Sequence, residues 1–489
     1  MFARVSVPLL FFFIFFYPFS VSAHEPHVTQ EMGDLPMLPG HLSQEDITSR
    51  KLSFDQIFAA GKRLFDAKFN TLDGQGRPYA TGNGKPTGRA PNLDMPMVRT
   101  SGPDSNACAG CHNDPRSGAG GDFVANVFVL AQVLDPITYS VDPDFSNERN
   151  TLGMMGAGPI ELLGREMTRD LHRLRERAKA AAAASGLDVT LPLESKGVSF
   201  GSITARPDGT LDFSRLEGVD NDLIIKPFHQ KGVVRSLREF TVNAMNHHHG
   251  MQAVERFGQG ETGSRDFDVD GIEDELSVGD ITAATIYQAA LNTPGQVLPG
   301  RPEARAAVQR GEARFGEIGC AGCHKPQLAL ENPVFCEPYP LNPKGTFSDA
   351  SRAYCFDLTQ TGEKPRLEKR EGKGGVVRAY TDLKRHQICD ADLPHFCNER
   401  VVQGGVPTGQ FITRKLWDAG NSAPYGHRGD LTTLTEAILA HGGEGRSSRD
   451  RFGALSAERQ AEIIEFLKTL QIVPPGAPSR IHGEAERPN

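Results

Sequence analysis

Two pentapeptides of the same form, Cys108-Ala-Gly-Cys111-His112 and Cys320-Ala-Gly-Cys323-His324, dominate this 489-residue chain. Their spacing is that of c-type haem attachment, in which two thiols add to the vinyl groups of one haem and the following histidine binds the iron. Zinc sites and redox dithiols use the same residue types. However, paired zinc ligands lie closer together in sequence, and a dithiol has no reason to precede histidine twice. The sequence therefore predicts two covalently bound c-type haems.

Residues 1–23 have the pattern of a secretory leader. Arg4 precedes an apolar run from Val5 to Phe19, and Val21-Ser22-Ala23 is a small-residue cleavage site. The run is shorter than the roughly twenty residues that a spanning helix needs, and no later stretch is long and apolar enough to span a bilayer. Because bacteria attach c-type haem outside the cytoplasm, we expect a soluble periplasmic protein without a membrane span.

Composition limits the partners and the architecture. The formal net charge of -8 argues against nucleic acid. The chain is too long for one hydrophobic core, so at least two domains are expected. The partners that fit two haems are a small redox protein or another electron donor, together with a small-molecule oxidant. A homodimer is one option for its assembly.

Helical patterns precede both pentads. Apolar residues and glycine recur at helical spacing at Phe54, Ile57, Phe58, Gly61, Leu64 and Phe65, and again at Val308, Gly311 and Phe315. This similarity predicts an internal repeat, the alternative being two unrelated amphipathic helices. Strand patterns are rare. The predicted fold class is therefore mainly α, with two cytochrome c-like haem domains of which the N-terminal one is enlarged by a long insertion.

Proline and glycine mark the boundary between the two domains at Thr293–Pro302. The insertion contains a helical stretch at Glu161–Ala184 and a second one before His247-His248-His249. The predicted segments are a signal peptide at 1–23, a polar arm at 24–50, the N-terminal haem domain with its insertion at 51–295, the C-terminal haem domain at 301–475 and a tail at 476–489.

Four cysteines lie outside the pentads: Cys336, Cys355, Cys389 and Cys397. An even number of remaining cysteines in an oxidising compartment indicates two disulfides. Proximity in sequence favours Cys336 with Cys355 and Cys389 with Cys397.

Several longer motifs resemble the bacterial di-haem cytochrome c peroxidases, and within that family the di-haem oxidoreductase branch. The match is most specific at Leu416–Gly420, Ala423–Gly429 and Leu434–Glu444, and looser at Lys226–Phe228 and Ser236–Glu239. The resemblance implies two different haems. The haem of the C-terminal domain would transfer electrons, and the haem of the N-terminal domain would meet a small oxidant.

The resemblance also implies axial ligands. Where the family places a methionine on the far side of the C-terminal haem, this chain has His441. Ligation by His324 and His441 would lower the reduction potential relative to a histidine and methionine pair. The alternative is that His441 is a polar helix-end residue. The partner of His112 stays open, either an unligated site or one of the candidates His172, His229, His247, His248 and His249.

Cleavage of an O–O bond needs a group that takes a proton from one oxygen and gives it to the other. The family uses a glutamate for this step. The segment Gly158–Met167 resembles the family's stretch, in which Gly-Pro precedes a Glu-Met pair, and this suggests Glu166 with Glu161 as its competitor. The alternative is that both are surface carboxylates of a helix.

Further cofactor contacts are predicted at three places. Arg414-Lys415 are candidates for contact with haem propionates. Asp266-x-Asp268-x-Asp270-Gly271 has the opening of a calcium loop, although Ser277 stands where the closing glutamate belongs. Relatives also bind calcium between the domains, through backbone oxygens at positions that match Ser422 and Pro424.

Together these features predict an exported, peroxidase-like di-haem oxidoreductase. Electrons would pass from the His324 haem to the His112 haem and reduce hydrogen peroxide or a similar oxidant. One alternative is a non-catalytic electron-transfer cytochrome, which would have two six-coordinate haems. The other is an oxygenase or a protein-oxidising enzyme on the same scaffold, which would bind dioxygen at the His112 haem.

Overall fold

The computed structural model describes residues 33–76, 105–121, 124–127, 147–268, 270–399 and 402–483. The predicted signal peptide lies outside the described residues. From Pro36 onward the described chain belongs to one compact unit, and the predicted domain boundaries stay predictions. In this part of the chain, none of the helices combines the length and the apolar character that crossing a membrane requires.

The α-helices are α1 (Gln44–Thr48), α2 (Phe54–Asp66), α3 (Cys108–Cys111), α4 (Ala157–Ser185), α5 (Leu237–Ala244), α6 (Val254–Phe257), α7 (Gln259–Thr262), α8 (Val278–Ala289), α9 (Pro302–Glu317), α10 (Leu434–Leu439), α11 (Arg446–Gly453) and α12 (Ala457–Thr469). The segment Met245–His249 is a π-helix. Short 3-10 turns lie at Cys320–Gly322, Ala350–Arg352, Pro394–Cys397, Ala419–Asn421 and Gly443–Gly445.

The strands are β1 (Val124–Val127), β2 (Asn147–Asn150), β3 (Val189–Ser195), β4 (Val198–Ala205), β5 (Leu211–Asp212), β6 (Gly295–Leu298), β7 (Leu328–Leu330), β8 (Val334–Glu337), β9 (Tyr354–Asp357), β10 (Glu368–Lys369), β11 (Gly375–Val377), β12 (Arg385–Gln387), β13 (Gln410–Ile412), β14 (Leu470–Gln471) and β15 (Arg480–His482). They form small sheets of two or three strands, arranged as β1-β2, β10-β11-β7, β12-β13, β14-β6-β15, β3-β4-β5 and β8-β9.

The predicted mainly α fold class is wrong. The structure is mixed, with 36% of it helical and 16% in strands. The largest hairpin joins β3 and β4 through Lys196 and Gly197, whose φ angles of 53° and 73° suit a two-residue turn that matches the twist of the strands. Most other strands have only two to four residues. Such strands are too short to show the alternation of polar and apolar residues by which a strand is recognised.

The predicted internal repeat is present as two similar helix crossings. Helix α2 crosses α8 at Gly61, where a Cβ atom would lie 2.0 Å from the carbonyl oxygen of Ala283. Helix α9 crosses α12 at Gly311, where a Cβ atom would lie 1.9 Å from the carbonyl oxygen of Glu462. Only glycine allows the helices to approach this closely.

Each repeat also places a phenylalanine against the histidine of its pentad. Phe65 follows the crossing glycine of α2 by one turn, and its ring centroid is 6.1 Å from that of His112. Phe315 occupies the same place on α9, and its ring centroid is 6.2 Å from that of His324. The two helices therefore support the two pentads in the same way.

The part of the polar arm next to the first haem domain is folded onto the protein. Nδ1 of His41 lies 2.7 Å from Oδ2 of Asp280, and the backbone N–H of Leu42 donates to Oδ1 of the same carboxylate at 3.0 Å. Gln44 and Ile47 on α1 are buried. The polar composition of this segment gave no sign of these contacts.

The interdomain linker and the tail take part in one sheet. Strand β6 lies within the predicted linker, and it pairs antiparallel with β14 and parallel with β15, which belongs to the predicted tail. These pairings join segments far apart in sequence, so no local pattern could have indicated them.

Both predicted disulfides are confirmed. Cys336 pairs with Cys355 across β8 and β9, and Cys389 pairs with Cys397. Within the described residues, the cysteines that take part in no disulfide are the four of the pentads. The structure thus distinguishes four cysteines that form disulfides from the four of the pentads, which do not.

Candidate functional site

Both pentads line one cavity with a volume of about 610 Å³. Its wall includes six residues of the pentads: Cys108, Cys111, His112, Cys320, Cys323 and His324. Aromatic rings supply much of the remaining wall: Phe65, Phe228, Phe240, Phe315, Phe396 and Phe411. Thiols that open into an apolar cavity, each pair followed by a histidine, are the donor set that a covalently bound haem requires.

The two pentad histidines are oriented in the same way. Nδ1 of His112 lies 3.2 Å from the carbonyl oxygen of Ala119, and Nδ1 of His324 lies 3.1 Å from that of Tyr380. Because a carbonyl only accepts, Nδ1 carries the proton and Nε2 keeps its lone pair. Burial lowers the pKa of both histidines to about 4. Both are therefore neutral at neutral pH, which is the form that binds a metal.

His441 faces His324 across the cavity. The centroids of the two rings are 6.4 Å apart. Two metal–nitrogen bonds of about 2 Å would account for most of this distance, and the rest is the span from nitrogen to ring centre on each side. Nδ1 of His441 lies 2.8 Å from the carbonyl oxygen of Ala437, which again leaves Nε2 to bind a metal. The geometry fits the predicted iron ligation by this pair.

The His112 side is different. Within the described residues, the ring that contacts His112 is that of Phe65, and no second histidine ring lies against it as His441 lies against His324. Among the candidates, His172 does not line the cavity, and its Nε2 lies 2.8 Å from the backbone oxygen of Asp222. The described part of this site therefore has one oriented histidine packed against Phe65, and His248 contributes to the lowered pKa of His112.

The remaining candidates do line the cavity: His229, His247, His248 and His249. Three of them lie on the π-helix that follows α5, a type of turn often found at functional sites. His249 is held against the first pentad, with Nδ1 2.6 Å from the carbonyl oxygen of Ser105 and Nε2 3.3 Å from Sγ of Cys108. Which histidine, if any, binds the first iron stays a prediction.

The structure places Glu166 away from the cavity. Its carboxylate forms an ion pair with Nζ of Lys196 at 2.6 Å and accepts hydrogen bonds from the backbone N–H groups of Glu331 and Asn332. Every described contact of this side chain is thus with the surrounding fold. The spacing of the Glu-Met pair gave no information about the direction in which the helix presents it.

Glu161 is fully buried and does not line the cavity either. It is paired with Arg165 one turn along α4 and accepts a hydrogen bond from the backbone N–H of Leu237 at 2.7 Å. A catalytic role for Glu161 or Glu166 stays a prediction that these contacts do not favour.

A different carboxylate, Glu239, lines the cavity and was not predicted. It lies in the first turn of α5, and burial raises its pKa. Oε2 accepts a hydrogen bond from the backbone N–H of Arg235 at 2.8 Å, whereas Oε1 has no hydrogen-bond partner among the described residues. The sequence carried a signal, since Ser236-Leu-Arg-Glu239 has the spacing of a helix cap shortly before the three histidines.

Basic residues outnumber acidic ones on the described cavity wall. The basic ones are Arg149, Arg414, Lys415 and Arg449, and the acidic ones are Glu239 and Glu444. This balance suits the carboxylates of haem propionates. Lys415 donates to the carbonyl oxygen of Gly153 at 3.1 Å, and burial lowers its pKa to about 8.

His427 also opens into the cavity and was not singled out as a site residue. It is 5% exposed and packs between Phe411 and Phe396, with ring centroids 4.6 Å and 5.8 Å away. Neither ring nitrogen has a hydrogen-bond partner among the described residues. Burial lowers its pKa to about 3. A buried polar group without a partner is costly, so a group bound in the cavity is expected to complete it.

Trp417 is buried and does not line the cavity. A Cβ atom on Gly156 would lie 2.3 Å from its indole ring, so the ring packs closely against the start of α4. This contact fits a core aromatic residue.

The two predicted calcium positions differ in the structure. Carboxylate oxygens of Asp266, Asp268 and Asp270 lie within 4.8 Å of one another. Ser277, at the position of the missing glutamate, instead caps α8. The carbonyl oxygen of Pro424 accepts a hydrogen bond from Nδ2 of Asn150 at 2.5 Å. Calcium binding stays a prediction at both positions.

Comparison with known proteins gives limited support to the resemblance. No family model matches the chain. A cytochrome-c peroxidase, IdrP1 of Denitromonas iodatirespirans, is 26% identical over 176 residues, which are 35% of this chain and 42% of that protein. This chain therefore matches less than half the length of that relative.

Among solved structures, hydrazine synthase of Kuenenia stuttgartiensis aligns with 90% of this chain and 98% of its own, at 16% identity and a TM-score of 0.32. That score is too low to support a conclusion about this chain. The similarity that remains is to a cytochrome-c peroxidase, over about a third of the sequence.

Proposed function

We propose that this protein is an exported di-haem c-type oxidoreductase that reduces hydrogen peroxide or a similar small oxidant. Electrons would arrive at the haem held by Cys320, Cys323, His324 and His441, and would be used at the haem held by Cys108, Cys111 and His112. The observation that carries the proposal is the asymmetry of two sites in one cavity. The ring of His324 faces a second histidine at 6.4 Å, whereas the ring that lies against His112 is that of Phe65.

When bound, the haems would supply electron transfer and activation of the oxidant. The chain's own residues would orient the haem ligands and supply protons to the oxidant. The backbone oxygens of Ala119 and Tyr380 fix the two pentad histidines so that Nε2 points away from the hydrogen bond. Arg414 and Lys415 would hold propionates by charge-assisted hydrogen bonds.

Glu239 is the residue best placed to handle protons. Its Oε2 accepts from the Arg235 backbone and lies 3.4 Å from Nε of the Arg235 side chain, so Oε1 is the oxygen that would hold a proton and pass it to a bound oxidant. The raised pKa of Glu239 favours this role, because a carboxyl that keeps its proton nearer to neutral pH is a better donor. Glu444, the other described carboxylate of the wall, has one oxygen bonded to His386 and one to the Gln387 backbone.

The two disulfides support export, because disulfides persist in oxidising compartments such as the periplasm. A periplasmic location also suits haem attachment and a small redox protein as the electron donor. The test is fractionation of the native host, with the mature N-terminus read by mass spectrometry. Recovery of the full-length leader in the cytoplasm would contradict export.

Electron paramagnetic resonance of the oxidised and half-reduced holoprotein, with and without peroxide, tests the function. We expect one low-spin haem that peroxide leaves unchanged, and a second haem that opens or reacts. Two haems that stay six-coordinate and bind neither cyanide nor carbon monoxide would indicate an electron-transfer cytochrome. Stable dioxygen binding with poor peroxide turnover would indicate an oxygenase or a protein-oxidising enzyme.

A further inference from the structure

One cavity histidine near the second pentad, His386, has a carboxylate on each ring nitrogen. Nε2 lies 2.9 Å from Oδ2 of Asp382, and Nδ1 lies 2.7 Å from Oε2 of Glu444. Carboxylates only accept hydrogen bonds, so both nitrogens carry protons and the ring is an imidazolium. Burial lowers the pKa of His386, but the hydrogen bonds and charges of Asp382 and of the Cys323 thiol raise it above its usual value. The Asp382 contribution remains when Cys323 is bonded to haem.

The imidazolium lies beside the attachment point of the second haem. Nδ1 of His386 is 3.9 Å from Sγ of Cys323, one of the two thiols that would bond to that haem. Only 8% of the His386 side chain is exposed, and Asp382 is 3% exposed, so water screens this charge weakly. Glu444 is about half exposed, and its charge is screened more.

The same ring connects the segment that orients His324 to the segment that carries His441. Asp382 lies two residues after Tyr380, whose carbonyl oxygen accepts the hydrogen bond from Nδ1 of His324. Glu444 lies three residues after His441, in the turn that follows α10. A bridge from Asp382 to Glu444 therefore ties the backbone on one side of the cavity to the backbone on the other.

We propose that His386 is a positioning residue for the second haem. Its imidazolium holds the segment that orients His324 and the segment that carries His441 at a fixed spacing, and its positive charge raises the reduction potential of that haem. Electron uptake adds negative charge, which a nearby cation in a poorly screened cavity stabilises. This effect would offset part of the low potential that ligation by two histidines causes. The inference rests on the proposed function, since it takes His324 and His441 as the ligands.

The test is a potentiometric titration of the holoprotein, monitored by visible spectroscopy. It uses two variants that change the local charge in opposite directions. His386→Gln removes the positive charge, and we expect the midpoint potential of the low-spin haem to fall. Glu444→Gln removes a negative charge from the same bridge, and we expect that midpoint to rise. A purely structural bridge would shift both midpoints in the same direction or in neither, and that result would overturn the inference.

A matched control is His395→Gln. His395 lies 3.4 Å from a carboxylate of Asp430 but does not line the cavity, so its loss should leave both midpoints unchanged. If His386→Gln yields no holoprotein, Glu444→Gln alone decides, and an unchanged midpoint overturns the inference. A wild-type protein without any low-spin haem would refute the proposed function itself. A low-spin wild type with unmoved variants refutes only the role of His386.

Discussion

The imidazole rings of His324 and His441 face each other across the cavity with their centroids 6.4 Å apart, although 117 positions separate them in the chain. If both bind one iron, His441→Ala removes one of its two strong-field ligands. We expect the low-spin signal of one haem to be lost while both haems stay covalently attached. Electron paramagnetic resonance and the mass of the intact holoprotein measure these two results.

The control for this substitution is His172→Ala. His172 is bonded to the Asp222 backbone and does not line the cavity, so its replacement should leave both haem spectra unchanged. Retention of the low-spin signal in His441→Ala would show that another group ligates the second iron.

Glu239→Gln tests the proton-transfer role. The amide keeps the size of the side chain but cannot exchange the proton, so peroxide turnover should fall by about 10²- to 10⁴-fold. Peroxide binding, measured by rapid-mixing spectroscopy, should change little. Turnover within a factor of about two of the wild type would exclude Glu239 from the reaction.

Glu166→Gln is the matched comparison for Glu239→Gln. This substitution breaks a buried ion pair with Lys196, which typically costs about 3–5 kcal/mol of unfolding free energy. We therefore expect lower stability and nearly normal turnover for the folded fraction. The reverse pattern, with stability kept and turnover lost, would favour the sequence-based choice of Glu166 over Glu239.

The contrast between these glutamates shows what the sequence could and could not predict. The pentads, the two disulfides and the helical repeat were predictable, because each depends on residues close together or on a local period. The direction of a side chain from a long helix depends on its packing. Glu166 points to Lys196 and the backbone after β7, a contact that no local pattern encodes. The same limit explains the missed sheets, such as β14-β6-β15, whose strands are far apart in sequence.

The helix crossings predict a second set of stability effects. Gly311→Ala would place a methyl group 1.9 Å from the carbonyl oxygen of Glu462, and Gly61→Ala would place one 2.0 Å from that of Ala283. The helices must then move apart, and overpacking of this kind typically costs about 1–3 kcal/mol. Chemical unfolding of the holoprotein should show a similar loss for both variants.

Gly316→Ala is the control on the same helix as Gly311. A Cβ atom there meets nothing within 4 Å, so alanine should stabilise α9 by up to about 1 kcal/mol through its helix propensity. If Gly311→Ala were as stable as Gly316→Ala, the close crossing of α9 and α12 would be wrong.

The buried imidazole of His427 makes the protein sensitive to acid. Its pKa is about 3 in the folded state, against about 6.5 in an unfolded chain. Below pH 6.5 the unfolded chain binds a proton that the folded protein does not, so the stabilisation that is complete above this pH is lost as the pH falls toward 3.

His427→Gln removes this titration. Unfolding measured at several pH values should therefore show a shallower fall in stability for the variant between pH 6.5 and 4, and parallel curves above pH 7. Equal slopes in the acid range would mean that His427 is protonated in the folded protein, where the Glu399 carboxylate, with Oε1 3.7 Å from Nε2 of His427, would stabilise the charge.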